Sequence, residues 1–338
     1  MSNYSTRPFN EIKKIIKFGT KKIIKTSSYT NKFYDEIKWL VSLPNDLKVY
    51  APNISNFFLV KDSKDNFIEY DFIATETVHN YFIANNMDEV YWNKCANKYK
   101  EMINSFLKYT PKSFDSKYWK EQIFSMYFKK TKDRLSIINT YPDLCAFINN
   151  EFVYINGQKF PSVKKIINIL DAYMSNNAMN SVFDQFFQKI KDRICIVHGD
   201  LTFSNVFYSL EDDKMTIIDP RGSFGVDKIY GDVLEEYAKV YQSIYGCYDY
   251  VIKDKFKLTE DGNKFNYSFD FFSNYEIIKK AFNVFFPKEY ISLIKLVTSF
   301  FLLSMFPFHS ENVKHQKMFL CIGIQMFFEA INDNKQWK

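Results

Sequence analysis

The chain has 338 residues and a formal net charge of +6, and hydrophobic and charged residues make up 46% and 25% of it. These fractions are close to globular averages and exclude a disordered chain, while nine Gly and nine Pro exclude a collagenous or low-complexity architecture. The length is sufficient for about two domains, each with a buried core.

The first part of the chain is predicted to form strands and one helix. Two β-branched runs separated by Gly19 and Thr20 indicate a hairpin, and Asn31 is placed to cap a helix over residues 32–43 that Pro44 ends. Polar residues 63–66 supply a turn between two further strands. The predicted strands are Ile12–Phe18, Lys21–Thr26, Phe57–Lys61 and Phe67–Ile73.

After about residue 78 the pattern becomes mainly helical. A short strand, Ile194–Val197, precedes a polar loop and a hairpin, and a second hairpin-like segment lies around Lys253–Tyr267. This order predicts an α+β protein with two lobes, a β-rich N-terminal lobe over residues 1–77 and a helical C-terminal lobe over residues 78–338. Predicted helices of the second lobe include Trp92–Tyr109, Val163–Tyr173 and Val182–Ile190.

Cysteine usage and the apolar segments indicate the compartment. The five cysteines are far apart, and there is neither a C-x-x-C motif nor a group of histidines, which argues against a disulfide framework and against a zinc site. The first residues contain no apolar signal region, so we expect a cytoplasmic protein. The longest apolar stretch, Leu296–Phe308, is shorter than the roughly 20 residues that span a bilayer, and we expect a buried helix there and no integral membrane segment.

Positive charge is concentrated in residues 1–50, which hold ten Lys or Arg and four Asp or Glu, whereas the other residues balance at 35 of each sign. A basic segment attracts a membrane surface, a nucleic acid or a phosphate-bearing ligand, or it forms a solvated lysine-rich edge. Because residues 51–338 carry no net positive charge, we do not expect a nucleic-acid partner.

The stretch most informative about chemistry is His198–Asn205, HGDLTFSN, which is followed by Asp219 in the sequence IIDP. Phosphoryl transfer from a nucleotide needs a carboxylate that accepts the proton of a hydroxyl, and oxygen ligands for Mg²⁺ on the phosphates. Kinases supply these groups with a D-x-x-x-x-N loop and an Asp on the next hairpin. Asp200, Asn205 and Asp219 have this spacing. The alternative is an acidic surface hairpin.

The two motifs resemble those of the aminoglycoside phosphotransferase/choline kinase family, which shares the protein-kinase fold and typically has HGD where protein kinases have HRD. The resemblance implies a bilobal kinase-like fold, with Asp200 as catalytic base and with Asn205 and Asp219 as Mg²⁺ ligands. It also implies that His198 braces the loop. Only these two loops carry a specific signal, although the resemblance extends over nearly the whole chain.

In the N-terminal lobe, Lys25 and Glu36 are placed like the strand lysine and the helix glutamate that pair in kinases, where the lysine contacts the nucleotide phosphates. Lys22 is the alternative to Lys25, since six lysines lie between positions 13 and 25. No G-x-G-x-x-G is present, so only Gly19 is expected in the turn over the phosphates. The segment from Tyr70 to Val78 matches the hinge that binds the purine, which leaves ATP and GTP both open.

One bacterial branch of the family, associated with capsule or surface-polysaccharide biosynthesis, is similar in the segments PRGSFG after Asp219 and SMFPFH at residues 304–309. Glu236 stands where that branch commonly has Asp. Arg221 has two interpretations of equal weight, the recognition of an anionic group or an ion pair with Glu235 or Glu236. His309 and His315 are expected to be packing or surface residues.

The function predicted from these features is transfer of the γ-phosphoryl group of ATP or GTP, with Mg²⁺, to a hydroxyl of a small metabolite. The branch resemblance implies a sugar or an amino alcohol as acceptor. Two alternatives stay open: a pseudokinase-type scaffold that binds nucleotide without turnover, and a protein kinase, which is disfavoured by HGD and by the lack of D-F-G.

Overall fold

Strands and helices alternate along the chain in a mixed α and β structure. The computed structural model describes residues 9–175, 178–224, 229–271 and 274–333. The strands are β1 Asn10–Lys17, β2 Thr20–Ser27, β3 Ile54–Phe58, β4 Phe67–Asp71, β5 Phe152–Ile155, β6 Gln158–Pro161, β7 Ile194–Ile196, β8 Val206–Ser209, β9 Lys214–Ile217, β10 Tyr230–Asp232, β11 Phe256–Asp261 and β12 Lys264–Phe269. The helices are α1 Thr30–Ser42, α2 Val78–Ala84, α3 Glu89–Phe106, α4 Ser116–Phe124, α5 Lys130–Leu135, α6 Val163–Ser175, α7 Ala178–Ile190, α8 Leu234–Ile244, α9 Tyr248–Val251, α10 Tyr275–Phe282, α11 Ile291–Leu303 and α12 Val313–Asp333.

The chain divides into two compact units. The first comprises residues 1–111 and 194–236, and the second comprises residues 112–193 and 237–338. The lobe boundary that the sequence predicts near residue 77 falls inside the first unit and stays a prediction. Among the described residues, no helix combines the length and the apolar character that crossing a bilayer requires.

The first unit is built around an antiparallel four-stranded sheet in the order β1-β2-β4-β3. β1 and β2 form the predicted hairpin, but its two-residue turn is Phe18 and Gly19, one position earlier than expected, and both have positive φ. A right-handed strand twist favours this kind of turn in a two-residue hairpin. The same unit contains the hairpin β8–β9 and the short pair β7–β10.

Helix α1 packs one apolar stripe into the core of the first unit. Phe33, Ile37 and Leu40 recur at helical spacing and are at most 3% exposed. The prediction that Asn31 caps this helix is wrong, because α1 begins at Thr30 and Asn31 lies inside its first turn. Tyr29, the residue directly before the helix, makes no capping hydrogen bond through its side chain.

Two other predicted boundaries are displaced for local reasons. β3 ends at Phe58 rather than at Lys61, because the Asn66 side chain bonds both the N–H and the C=O of Val60 and closes the loop there. α3 begins at Glu89, since the Asp88 carboxylate accepts from the backbone N–H of Tyr91 and caps the helix.

The second unit is mainly helical and contains a four-stranded sheet in the order β11-β12-β5-β6. The hairpin expected around residues 253–267 is confirmed as β11–β12. The hairpin β5–β6 was not predicted, and β5 joins β12 in a short parallel pair. The apolar run Leu296–Phe308 forms the buried end of α11, followed by a 3₁₀ turn, Phe306–His309, that begins just before Pro307.

Candidate active site

Lys25 lies at the centre of a buried cluster of charges in the first unit. Alternation along β2 turns Lys25 inward with Ile23 and Ser27, and Lys25 is 1% exposed. Its Nζ donates to Oε1 of Glu36 at 2.6 Å and to Oδ1 of Asp219 at 2.8 Å. Three of the predicted site residues, which are far apart in sequence, therefore meet at one ammonium group.

Glu36 reaches this cluster because it shares the buried face of α1 with Phe33, Ile37 and Leu40. Burial raises the pKa of Glu36 to about 7, against the lowering effect of the Lys25 ammonium. For Lys25, burial alone would lower the pKa, but the carboxylates of Glu36 and Asp219 outweigh it and the pKa is raised. Lys25 is therefore charged at neutral pH, and one cation serves two carboxyl groups.

Lys22, the alternative to Lys25, lies elsewhere. It is opposite Asp71 in the pairing of β2 with β4, and the two side chains form an ion pair. Because successive residues of a strand face opposite sides of a sheet, Lys22 and Lys25 point to different faces. The structure thus brings Lys25, and not Lys22, to Glu36 and Asp219.

The loop after β7 is held by the imidazole of His198, which is completely buried. Its Nδ1 lies 3.2 Å from the backbone N–H of Asp200 and accepts from it, so its Nε2 carries the proton and donates to the carbonyl of Ile218 at 2.9 Å. One ring thereby joins the Asp200 loop to the strand end that carries Asp219. Trp39 of α1 packs edge-on against the ring and donates to the carbonyl of Val197 at 2.7 Å.

Asn205 lies beside Asp200 at the end of a 3₁₀ turn, Phe203–Asn205. Its Nδ2 donates to the Asp200 backbone carbonyl at 2.9 Å and to the Asp200 carboxylate Oδ2 at 3.1 Å. The Asn205 backbone carbonyl accepts from the backbone N–H of Ile218, the residue directly before Asp219, so Asn205 lies across the open end of the β8–β9 hairpin.

The oxygen atoms of Asn205 and Asp219 fit the preference of Mg²⁺ for carboxylate and carbonyl ligands. The amide nitrogen of Asn205 is used by Asp200, so its carbonyl oxygen is left for another partner. Asp219 accepts from Lys25 through Oδ1, and its side chain is 37% exposed, which leaves a second carboxylate oxygen within reach of a bound ion.

Asp219 has a backbone conformation that few non-glycine residues adopt, with φ of +57°. The chain then turns back, and the backbone N–H of Arg221 donates to the carbonyl of His198 at 2.8 Å. Gly222, with φ of +73°, lies against the backbone of Asp35 in α1. Positive φ at a non-glycine residue stores strain, and the contact of Gly222 with α1 holds the strained segment in place.

Two buried glutamates at the start of α8 support the Asp200 loop, and neither was predicted as a site residue. The carboxylate Oε1 of Glu236 accepts from the backbone N–H of Gly199 at 2.6 Å. Burial raises the pKa of Glu236 to about 8, and the neighbouring Glu235 and Asp200 act in the same direction. The sequence did contain one signal for Glu236: this glutamate stands where the bacterial branch commonly has Asp, so an acidic residue is kept at this position.

Glu235 is completely buried and forms an ion pair with Arg221. Of the two interpretations of Arg221, this contact agrees with the ion pair, and its partner is Glu235. The side chain of Arg221 also packs under Gly199, where a Cβ would lie 2.9 Å from the Cβ of Arg221. The middle residue of the HGD motif therefore has no space for a side chain.

Gly19, expected over the phosphates, lies in the exposed tip of the β1–β2 hairpin and has no atom within 4 Å of where its Cβ would be. The segment expected as the hinge runs from Tyr70 at the end of β4 to Val78 at the start of α2. Thr77 caps α2 and forms a bridge with Phe207 of β8, so this segment is fixed beside the β8–β9 hairpin.

Comparison with known proteins gives similarity in structure alone. No protein-family model matches the sequence, and no curated protein matches it. A thermostable mutant of aminoglycoside phosphotransferase APH(4)-Ia, in its apo form, is similar with a TM-score of 0.54 and 11% identity over 96% of this chain and 92% of that one. The chain has a kinase-like fold.

A second solved structure has the same TM-score, identity and coverage: a thermostable mutant of APH(4)-Ia in a ternary complex with AMP-PNP and hygromycin B. The crystal structure of APH(4)-Ia itself is similar with a TM-score of 0.54 and 10% identity over 96% of this chain and 91% of that one. The kinase-like fold and the α+β class predicted from the sequence are confirmed, whereas the branch associated with capsule biosynthesis stays a prediction.

Proposed function

We propose that this protein transfers the γ-phosphoryl group of ATP or GTP to a hydroxyl group of a small molecule. The observation that carries the proposal is the buried contact of Lys25 with both Glu36 and Asp219, beside a loop in which Asn205 holds Asp200. The ligands of the similar structure, AMP-PNP and the small molecule hygromycin B, support the same class of substrates.

In this proposal Lys25 contacts the phosphates of the nucleotide, and Glu36 fixes the direction of its ammonium group. A lysine with two carboxylate partners and 1% exposure has few alternative rotamers, so its charge is preorganised for an anion. The lysine-rich hairpin β1–β2, with Gly19 in its turn, adds positive potential on the same sheet, which is the functional interpretation of the charge in residues 1–50.

Asn205 and Asp219 would hold Mg²⁺ through their remaining oxygen atoms. When bound, this ion would supply positive charge that stabilises the nucleotide phosphates during transfer. Three observations support this role for Asp219: its positive φ, its contact with Lys25 and the close packing of Gly222 on α1.

Asp200 is the proposed catalytic base. The acceptor oxygen forms a bond to the γ-phosphorus as the bond from that phosphorus to the bridging oxygen breaks, and the hydroxyl proton passes to the Asp200 carboxylate. The amide of Asn205 and the ring of His198 keep that carboxylate and its backbone in one orientation. Arg221, paired with Glu235, supports the loop under Gly199.

The acceptor is proposed to be a sugar or an amino alcohol, as the resemblance to the surface-polysaccharide branch implies. Hygromycin B, bound by the similar phosphotransferase, makes aminoglycosides the second class to test. We propose a cytoplasmic location, where nucleoside triphosphates are supplied, and the five cysteines, all free, are consistent with a reducing compartment.

A panel assay tests the function. The full chain is incubated with Mg²⁺ and ATP or GTP, and nucleoside diphosphate release is followed with sugars, sugar phosphates, choline, ethanolamine and aminoglycosides. Acceptor-dependent release above the rate of nucleotide hydrolysis is expected. Mg-nucleotide binding without turnover on any acceptor would favour a scaffold, and phosphorylation of protein substrates alone would favour a protein kinase.

A further inference from the structure

His309, Glu311 and His315 form a compact group in the second unit, outside the residues assigned to phosphoryl transfer. His309 ends the 3₁₀ turn after α11, Glu311 lies in the connection that follows, and His315 is in the first turn of α12. Each of the three offers one ligand atom, and these atoms all lie within 4.8 Å of one another. The sequence had shown no group of histidines, because the turn between the helices brings them together.

The spacing of the group suits a small ion. Nδ1 of His309 and Oε1 of Glu311 are 3.4 Å apart. Two atoms that are each about 2.1 Å from a tetrahedral ion lie about 3.4 Å from one another. The histidine and glutamate are therefore already separated as two ligands of one ion would be, and the third ligand requires only a small approach.

His315 is held from behind by a carboxylate. Its Nε2 lies 2.8 Å from Oδ1 of Asp254, so this nitrogen carries a proton and donates, and Nδ1 is the ring nitrogen left to offer a lone pair to an ion. Metal-binding histidines commonly donate their second ring N–H to a carboxylate, which fixes the tautomer and raises the basicity of the ligand. The Asn312 side chain accepts from the backbone N–H groups of Lys314 and His315 and fixes the start of α12.

The rings have an apolar wall, and the carboxylate faces solvent. The ring of His309 lies 4.9 Å from that of Phe319 and 6.0 Å from that of His315. His315 is 7% exposed, whereas the Glu311 side chain is 68% exposed. Two imidazoles are thus preoriented, and a flexible carboxylate can close on an ion that enters from water.

We propose that His309, Glu311 and His315 bind one divalent transition metal ion of the Zn²⁺ type. Two imidazole nitrogens and one carboxylate suit Zn²⁺, Co²⁺, Ni²⁺ or Cu²⁺, whereas Mg²⁺ and Ca²⁺ prefer oxygen ligands alone. Three protein ligands leave at least one position for water. The bound ion would join the end of the α11 segment to the start of α12 and stabilise that connection by mass action. His309 and His315, which the sequence predicts to be packing or surface residues, would then be metal ligands.

The test is equilibrium dialysis of the full chain against Zn²⁺ with excess Mg²⁺, which occupies oxygen-only sites such as the one proposed at Asp219. One Zn²⁺ per chain is expected for the wild type. Glu311→Gln removes a ligand from an exposed position, so the fold is kept, and it should weaken Zn²⁺ binding by at least about tenfold. Asp254→Asn should weaken binding by roughly 10–100-fold, the usual effect of losing the partner of a metal-binding histidine.

Glu289→Gln, a change at another exposed glutamate of the second unit, is the matched control and should bind Zn²⁺ like the wild type. At one Zn²⁺ concentration, Zn²⁺ should also raise the melting temperatures of the wild type and of Glu289→Gln more than that of Glu311→Gln. The proposal is overturned if the wild type binds no Zn²⁺ under these conditions, or if Glu311→Gln and His309→Ala both bind it with unchanged affinity.

Discussion

A Cβ on Gly222 would lie 2.3 Å from the carbonyl carbon of Asp35, far closer than any side chain can approach a backbone. The segment that follows Asp219 therefore rests directly on the backbone of α1, one residue from Glu36. Since Glu36 and Asp219 are the two carboxylates that hold Lys25, this contact keeps both ends of the charge cluster in register.

Gly222→Ala should disrupt the cluster. The new methyl group must displace α1 or the segment after Asp219, and it adds the strain of a positive φ. Gly157→Ala is the matched control, because Gly157 likewise has a positive φ, +77°, but its Cβ position has no atom within 4 Å beyond its chain neighbours. Gly157→Ala is expected to cost about 1–2 kcal/mol from backbone strain alone. Gly222→Ala should cost clearly more in chemical denaturation and abolish turnover; equal losses of stability for the two variants would contradict the packing argument.

Lys25→Met should lose Mg-nucleotide affinity and turnover, whereas Lys22→Met, which removes an ion pair at the other face of the sheet, should keep both. Removing Lys25 leaves Glu36 buried without its cation, which costs about 3–5 kcal/mol for a broken buried pair. The double variant Lys25→Met/Glu36→Leu should recover much of that stability but none of the activity. Calorimetric titration with nucleotide measures the loss of affinity, and chemical denaturation measures the loss of stability. An active Lys25→Met protein would refute the assignment of Lys25 to the nucleotide phosphates.

Glu236 should make stability depend on pH. Its pKa is raised by burial from 4.5 to about 8 in the folded protein. Between these values the folded state keeps a proton that the unfolded state releases, so the contribution of Glu236 is complete below about pH 4.5 and is lost as the pH rises to about 8. The loss amounts to about 5 kcal/mol at 1.36 kcal/mol for each pH unit.

Glu236→Gln removes this titration, while its amide oxygen can still accept from the backbone N–H of Gly199. The free energy of unfolding of the wild type should therefore fall relative to that of Glu236→Gln from pH 5 to pH 8. Comparing the two proteins cancels the titrating groups that do not interact with Glu236. Parallel pH profiles would show that Glu236 is ionised throughout this range.

Asp219→Ala should abolish the Mg²⁺ dependence of nucleotide binding, because the proposed ion loses its carboxylate ligand. Nucleotide affinity is measured for the wild type and the variant with Mg²⁺ and with EDTA. The wild type should bind more tightly with Mg²⁺, and the variant should bind equally in both conditions. An unchanged response to Mg²⁺ in the variant would contradict the role given to Asp219.

The sequence alone was sufficient to locate the loops that carry the candidate site residues, but not to predict the contacts that hold these loops in place. Asp200 and Asp219 come shortly after the short apolar strands β7 and β9, and Asn205 stands at a characteristic spacing from Asp200. The alternation of β2 and the helical stripe of α1 bring Lys25 and Glu36 inward. These patterns involve residues that are close together in sequence, so they can be recognised without the structure. They predicted the α+β class, and the kinase-like fold was what the family resemblance of the two loops implied.

Features that depend on distant contacts could not be predicted in this way. The parallel pairing of β5 with β12 joins segments more than a hundred residues apart. The bond from Gly199 to Glu236 and the packing of Gly222 on Asp35 depend on how a loop returns to a helix. His309 and His315 are six positions apart, and only the turn before α12 makes them neighbours.

The most direct test of the account is the turnover of Asp200→Asn on an acceptor found in the panel assay. The variant keeps the size of the side chain but cannot accept the hydroxyl proton, so turnover should fall by about 10²–10⁴. Nucleotide affinity should change little, and Asp62→Asn, at an exposed turn, should behave like the wild type. Turnover of Asp200→Asn equal to that of the wild type would contradict the assignment of Asp200 as catalytic base.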